Sequence, residues 1–294
     1  MGNSFCVWCW IVVDVLFQRT QEEGEFDVIF REPFNVRHIG IVAGTAEGAA
    51  LCYQTICREA EPFLGLHAHP EMTMHAFSLR DYLELIDAEQ WEAVADLLSQ
   101  SSANLARAGA DFIVCPNNTL HGAFDAVCSP IPWLHIAEVV AAEVCQQGRR
   151  RVGLLGTRSV MEGSVYRNKL KKVGVDLELP CAFDQVQLHA MILTEMIRGH
   201  LSAPSRYKLY MMIRSMKEQG CDAVILGCTE LPLFVTEEQS VLPLLDSTRL
   251  LAQAAIRYAI GSRVQTGLSR RLTSPRQDGG PFCADKNKEG VFTE

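Results

Sequence analysis

Two stretches of this chain repeat each other, 111 positions apart. In the first, Gly109-Ala110-Asp111 runs into Phe112, Ile113 and Val114 and then into Cys115-Pro116-Asn117-Asn118-Thr119. In the second, Gly220-Cys221-Asp222 runs into Val224, Ile225 and Leu226 and then into Gly227-Cys228-Thr229-Glu230. Glycine matches glycine, aspartate matches aspartate, and Asn117 falls on Cys228. An apolar run this short, bracketed by glycine, predicts a buried parallel strand and not a helix. Ligands of open α/β sheets sit just beyond the carboxyl ends of such strands, which is where Asn117 and Cys228 are delivered. A second pair, Ile39-Gly40-Ile41 to Gly44-Thr45 and Val152-Gly153-Leu154 to Gly156-Thr157, repeats at nearly the same offset. Two similar units follow from this, and not a solenoid of shorter repeats. The predicted fold class is α/β, with two pseudo-symmetric lobes of mainly parallel strands around a shared interlobe cleft.

The rest of the chain arranges itself around that frame. With 294 residues, 48% of them hydrophobic, there is enough apolar material for two medium cores. Residues 1–36 are read as an extension outside the core: Phe5 to Phe17 is mostly apolar but interrupted by Asp14, too short to span a bilayer. A membrane-associated helix is the minority reading of that segment. The first lobe is placed at 37–133 and the second at 134–246. A helix over 247–261 packs back on the first lobe, and 262–294 forms a disordered tail rich in Ser, Thr, Pro, Gly, Lys and Arg. One long helix is predicted from Ala88 to Ala108, a helix follows Thr119, and 131–136 crosses to the second lobe.

Composition narrows the function classes. The net charge of −8 comes with Lys and Arg scattered, against a nucleic-acid surface, which needs a clustered basic face. Eleven cysteines contain no paired CxxC motifs, which argues against zinc and fits a reducing cytoplasm. Cys52, Cys57 and Cys145 fall in helical patterns and are read as buried small hydrophobes. No membrane and no nucleic-acid partner is expected; a homodimer is possible.

The key turns carry the chemistry. A cysteine at a strand end with a helix starting behind it lies in the positive end of the helix dipole, which favours the thiolate. Cys228 can therefore act as a nucleophile or as an acid/base. A nucleophile wants an oriented His base, and none follows Cys228. The acid/base role wants a second group on the opposite face of the substrate. Thr45, Thr119, Thr157 and Thr229 close four strand ends, where each can bind a substrate carboxylate or ammonium or cap a helix. His121 is read as a general base or a capping partner, and Glu230 as an ammonium ligand or a helix-start carboxylate. His67, His69 and His75 lack metal-ligand spacing and are read as structural or rim residues.

Together, Ile39 to Thr45, Asn118 to His121, Leu154 to Thr157 and Leu226-Gly227-Cys228-Thr229-Glu230-Leu231-Pro232 resemble the aspartate/glutamate racemase family over about residues 38–260. Glu230 after Cys228-Thr229 is similar to its aspartate-racemase branch. The resemblance implies two Rossmann-like lobes and an enzyme working without PLP, metal or other cofactor. It further implies a small, acidic amino-acid substrate and two cysteines, one per lobe, that exchange the α-proton from opposite faces. On that basis the catalytic pair is Cys228 and Asn117, with Thr45, Asn118, Thr119, Thr157, Thr229, Glu230 and His121 binding substrate. Arg80, Arg158 and Lys169 are candidates for a side-chain carboxylate, against surface exposure for each. The departure is Asn117, where the family pattern places the first thiol; Cys115 lies about 6–7 Å further back along the strand and is a poor substitute. A decarboxylase of the arylmalonate type, working with one thiol, and a non-catalytic binding relative are the alternatives.

Overall fold

The glycine–aspartate repeat explains how each central strand is held. Gly109 (φ +92°) and Gly220 (φ +87°) adopt a left-handed conformation that side chains disfavour, and so end the preceding helices. Two residues on, Asp111 accepts the His38 N–H at 2.7 Å and Asp222 accepts the Arg150 N–H at 2.8 Å. Each carboxylate thereby pins the start of the neighbouring strand. In a computed structural model, which describes residues 36–261, these clamps sit at the base of two sheets of the same design. The extension read over 1–36, except its last residue, and the tail over 262–294 lie outside the described residues.

In the first sheet, β1 (Ile39–Val42), β2 (Met72–His75), β3 (Phe112–Val114) and β4 (Trp133–Leu134) lie in the order β2-β1-β3-β4. In the second, β5 (Arg151–Gly156), β6 (Asp176–Glu178), β7 (Ala223–Gly227) and β8 (Leu244–Asp246) lie in the order β6-β5-β7-β8. All pairings are parallel. The central strands are buried on both faces, as their unbroken apolar runs require.

Helices cover both faces of each sheet. The first carries α1 (Ala46–Glu59), the short α2 (Glu61–Leu64), α3 (Leu79–Asp87) and α4 (Trp91–Arg107). The second carries α5 (Ile136–Gln146), α6 (Arg158–Glu162), α7 (Ser164–Lys172), α8 (Ala182–Thr194) and α9 (Ala203–Glu218). Two crossings bind the lobes together. Strand β4 belongs to the first sheet, but α5 behind it buries Val140 and Val144 against Val152 and Ile225 of the second. Conversely α10 (Ser247–Ile260) follows β8 and packs Leu251, Ala255 and Ile256 against Cys52, Ile56 and Phe112 of the first. Asp246 caps α10 by accepting the N–H groups of Thr248 and Arg249 at 3.0 and 3.1 Å.

Several sequence expectations need correction. The helix read over Ala88 to Ala108 begins at Trp91; ahead of it lies α3, and Glu89 in a left-handed conformation (φ 55°) separates the two. Residues 131–136 do more than cross over, because Trp133 and Leu134 pair with Ile113 and Val114. The segment after Thr119 is a 3-10 helix, Thr119–Ala126. Cys52 is buried as expected, but Cys57 is half-buried and Cys145 exposed; every described cysteine is a free thiol.

His121 is the larger correction. Its Nε2–H donates to the Cys115 carbonyl at 3.0 Å, and its ring lies against Phe124 and His135, on the far side of the turn from the key strand ends. The tautomer that makes this bond leaves Nδ1 a bare acceptor, buried and without a partner. Burial, then the neighbouring His135, push its pKa down to about 3, and burial with Lys169 pushes His135 down to about 4. His121 is thus a neutral structural histidine, not a base at the cleft.

Two stability tests follow from this packing. Between pH 6.5 and about 3 the unfolded chain takes up protons at His121 that the folded chain refuses. Folding stability is therefore full above pH 6.5 and falls as the solution is acidified. His121→Gln keeps a donor for Cys115 and removes the titration, so its urea-unfolding midpoint should fall less steeply from pH 6.5 to 4 than that of the wild type; equal slopes would refute the buried neutral histidine. The second concerns Tyr166, whose hydroxyl donates to Asn118 Oδ1 at 2.5 Å in a buried site. Tyr166→Phe leaves that oxygen without a donor and should cost about 1–3 kcal/mol in denaturant unfolding at neutral pH.

Candidate active site

Both sheets deliver their switch points, the places where strand order reverses, to one cavity of about 160 Å³. Thr45 follows β1, Asn117, Asn118 and Thr119 follow β3, Thr157 follows β5, and Cys228, Thr229 and Glu230 follow β7; all line it. The repeated turns therefore face a common space, Asn117 from one lobe and Cys228 from the other. Of the residues read from the sequence as the catalytic pair or as binding substrate at the turns, His121 stands outside, as do the three basic candidates for a side-chain carboxylate.

Close backbone approach sets the shape of this floor. A Cβ on Gly48, in the first turn of α1, would come within 2.5 Å of the Pro116 carbonyl and 2.7 Å of Thr229 Cγ2. The helix start is wedged between turns from both lobes, and only glycine fits. A Cβ on Gly44 would come within 2.8 Å of the Asn117 side chain. Thr45 accepts the Gly48 N–H at 3.3 Å, so it caps α1 while lining the cavity. The hydroxyls of Thr119 and Thr157 meet at 3.2 Å across the lobes.

Asn117 and Asn118 play different parts. Asn117 Oδ1 accepts the Leu120 N–H at 3.2 Å, capping the 3-10 helix. Asn118 spends both ends of its amide inside the protein, accepting from Tyr166 Oη and donating to Ser247 Oγ at 3.0 Å. Ser247 in turn donates to the Leu226 carbonyl at 2.8 Å.

The surroundings of Cys228 reverse the expectation of a ready thiolate. No long helix starts behind it: only a three-residue 3-10 turn, Leu231–Leu233, follows Glu230. Its thiol is buried and donates to Glu230 Oε2 at 2.8 Å, and the same oxygen accepts the Thr229 hydroxyl at 2.9 Å. Burial first, then the Glu230 charge and hydrogen bond, hold its pKa well above the ordinary value, against the backbone N–H groups of Glu230 and Thr229. These surroundings favour the protonated thiol over the thiolate. A thiol handing its proton to a carboxylate is a donor–acceptor couple, able to give a proton to one face of a ligand or to take one back. Cys115, fully buried in the core, is pushed up to about 12 by burial and does not line the cavity.

The three basic candidates lie elsewhere. Arg80 pairs with Glu84, Arg158 with Glu162 and Lys169 with Glu138, and none lines this cavity. Instead the structure adds side walls that the sequence reading passed over, from α3 and from α8 with the turn behind it. One signal was legible: Leu79, Leu83 and Ile86 fall at i, i+4 and i+7, a helix face with no polar break.

Among the described residues no helix is long and apolar enough to cross a membrane. The sequence model of the Asp/Glu/hydantoin racemase family matches residues 42–255. The chain is 28% identical over 159 residues to the broad specificity amino-acid racemase RacX of Bacillus subtilis, covering 53% of this chain and 67% of that protein. Its fold is similar to that of a Yersinia pestis protein assigned as an Asp/Glu racemase: TM-score 0.72 at 30% identity, over 76% of this chain and all of the other. It is also similar to PH1733, an aspartate racemase homologue from Pyrococcus horikoshii: TM-score 0.68 at 27% identity, again over 76% of this chain and all of the other. With twin parallel sheets, a cleft at their switch points and a match that spans both lobes, this chain belongs to the Asp/Glu/hydantoin racemase family.

Proposed function

We propose that the cleft racemises a small amino acid by proton transfer at Cα, without a cofactor, with Cys228 as the acid/base on one face and Asn117 opposite. The observation that supports this most is the buried couple of Cys228 Sγ and Glu230 Oε2 at 2.8 Å, set at a strand end in the cavity. The similarity to a broad specificity amino-acid racemase supports the substrate class. In the abstraction step the thiol proton passes to Glu230 and the sulfur takes the α-proton. The electron pair of the C–H bond stays on the substrate, delocalised into its carboxylate. The hydroxyl of Thr45 and one of the Thr119–Thr157 pair are the donors at hand for that growing charge, while that of Thr229 is held by Glu230. The second face is served by Asn117, whose amide neither gives nor takes a proton near neutral pH, so solvent water supplies the proton there.

Glu230 then has two separable effects. In Glu230→Gln the charge that raises the thiol pKa is gone, so Cys228 should react faster with iodoacetamide at pH 7 than in the wild type. Turnover should nevertheless fall about 10²-fold or more, because the proton acceptor is lost. In the wild type, Cys228 should alkylate more slowly than exposed Cys128 and Cys181, as read by peptide mass spectrometry. Cys228→Ser should abolish α-proton exchange in D₂O while leaving the fold intact, and full activity in that variant would rule the thiol out.

A second reading has one observation in its favour: the buried thiol donates to Glu230, and the other lobe brings an amide, not a second thiol, to the same cavity. A single donor of that kind can reprotonate a carbanion left by loss of CO₂, as in a decarboxylase. Release of CO₂ from a substituted malonate, with no α-deuteration of amino acids, would favour it. A non-catalytic relative would show neither.

The asymmetry across the cleft gives the sharpest test. The enantiomer whose α-proton points at Cys228 should exchange with solvent readily, and its mirror image slowly. The final ratio must still be one to one, because the enantiomers have equal free energy in solution. Asn117→Cys should raise exchange of the slow enantiomer, at a stability cost of about 0.5–2 kcal/mol for the lost cap on Leu120. Equal wild-type rates with no gain in the variant would mean that Asn117 does not stand opposite the thiol.

A further inference from the structure

The floor of the cavity is polar, and its sides are largely aliphatic, broken by Asp87 and His189. Leu79, Leu83 and Ile86 of α3 form one wall, and Ile192, Leu193 and Ile197, from α8 and the turn after it, form the other. Leu79, Leu83, Leu193 and Ile197 are each 40–45% exposed, and all four gather at this one cleft instead of scattering over the surface. A contiguous apolar surface with a polar ring beneath it is what an amphiphilic ligand would cover.

The charges point the same way. The carboxylates lining the cavity are Asp87 and Glu230, and neither Lys nor Arg is among the lining residues. His189, also at the lining, accepts the Arg158 backbone N–H through Nδ1 at 3.3 Å. Burial, then the charge of Arg158, lower its pKa, which favours the neutral ring. A side-chain carboxylate entering here would shed water, find no cation and meet two groups of its own sign. A side-chain ammonium would find Asp87, an exposed carboxylate where pairing is weak. An aliphatic side chain loses nothing and gains from all the apolar area it covers. At about 160 Å³ the space is close to the roughly 150 Å³ cavity that admits a benzene-sized guest, a scale for a branched or thioether chain and not for an indole.

We infer that the cleft takes an amino acid with an uncharged aliphatic side chain, of the valine, leucine or methionine kind, gripped between α3 and α8, and rejects aspartate and glutamate. The inference rests on the proton-transfer reading for its chemistry, but the side-chain preference follows from the walls alone.

Exchange of the α-proton in D₂O, followed by NMR with the full chain, is measured for both enantiomers of Val, Leu, Met, Asp, Glu, Lys and ornithine. Leucine or methionine should exceed aspartate and glutamate by at least about tenfold in kcat/KM. Leu83→Arg, which puts a cation into the wall, should lower aliphatic exchange and raise that of glutamate. Calorimetric binding of the same amino acids to Cys228→Ser reads the preference without turnover. Tighter binding or faster exchange of an acidic or basic amino acid than of every aliphatic one overturns the inference and leaves the chemistry standing. Aliphatic binding to that variant with no exchange by the wild type upholds the inference and overturns the proton transfer. Binding of no amino acid at all overturns both.

Discussion

A single buried amide holds the two lobes in register. Asn118, in the turn after β3, takes a hydrogen bond from Tyr166 on α7 and gives one to Ser247 at the start of α10, which passes it to the carbonyl of Leu226 in β7. That chain joins the key turn of the first lobe to the key strand of the second within three bonds. All its members are buried, so none can trade its partner for water, and the arrangement is specified as well as stabilised. The reciprocal crossings of α5 and α10 add the apolar part of the same seam. Without this seam Asn117 and Cys228 would belong to two sites instead of one.

The same seam explains why the cleft floor is so sparing with side-chain volume. Gly44 and Gly48 let α1 press against Asn117, the Pro116 carbonyl and Thr229. The polar groups that remain at the floor are hydroxyls, two amides, a thiol and one carboxylate. Short side chains lose little conformational freedom on being fixed, which suits a site whose work is to hold a proton donor at a set distance. The thiol gains its character from what surrounds it, since burial and an adjacent carboxylate both favour the protonated form.

Above that floor the architecture leaves two aliphatic faces without a protein partner, one on each lobe. Neither α3 nor the end of α8 completes its packing against the sheet beneath it. Other apolar side chains are exposed elsewhere, Leu66, Phe183 and Tyr207 among them, but at the cleft they form two walls of one cavity, and neither Lys nor Arg is among its lining residues.

How far the chain could be read unaided depends on the range of the interaction concerned. The strands and the twofold design were legible because each is written in adjacent residues and then written again about 111 positions later, whereas the repeated Asp111 and Asp222 showed their role as clamps only in the fold. The placement of Asn117 and Cys228 at strand ends followed from the same local pattern. The protonation of Cys228 did not, because it turns on burial and on the direction in which the Glu230 side chain points, neither of which any spacing encodes. His121 was misread for a related reason: its distance along the chain from Thr119 is short, but the 3-10 geometry turns its ring toward Cys115 and away from the cleft. The walls of the cavity needed the tertiary structure most of all. Leu79 and Ile197 are 118 residues apart, and only the packing of two lobes around one buried amide makes them opposite sides of the same space.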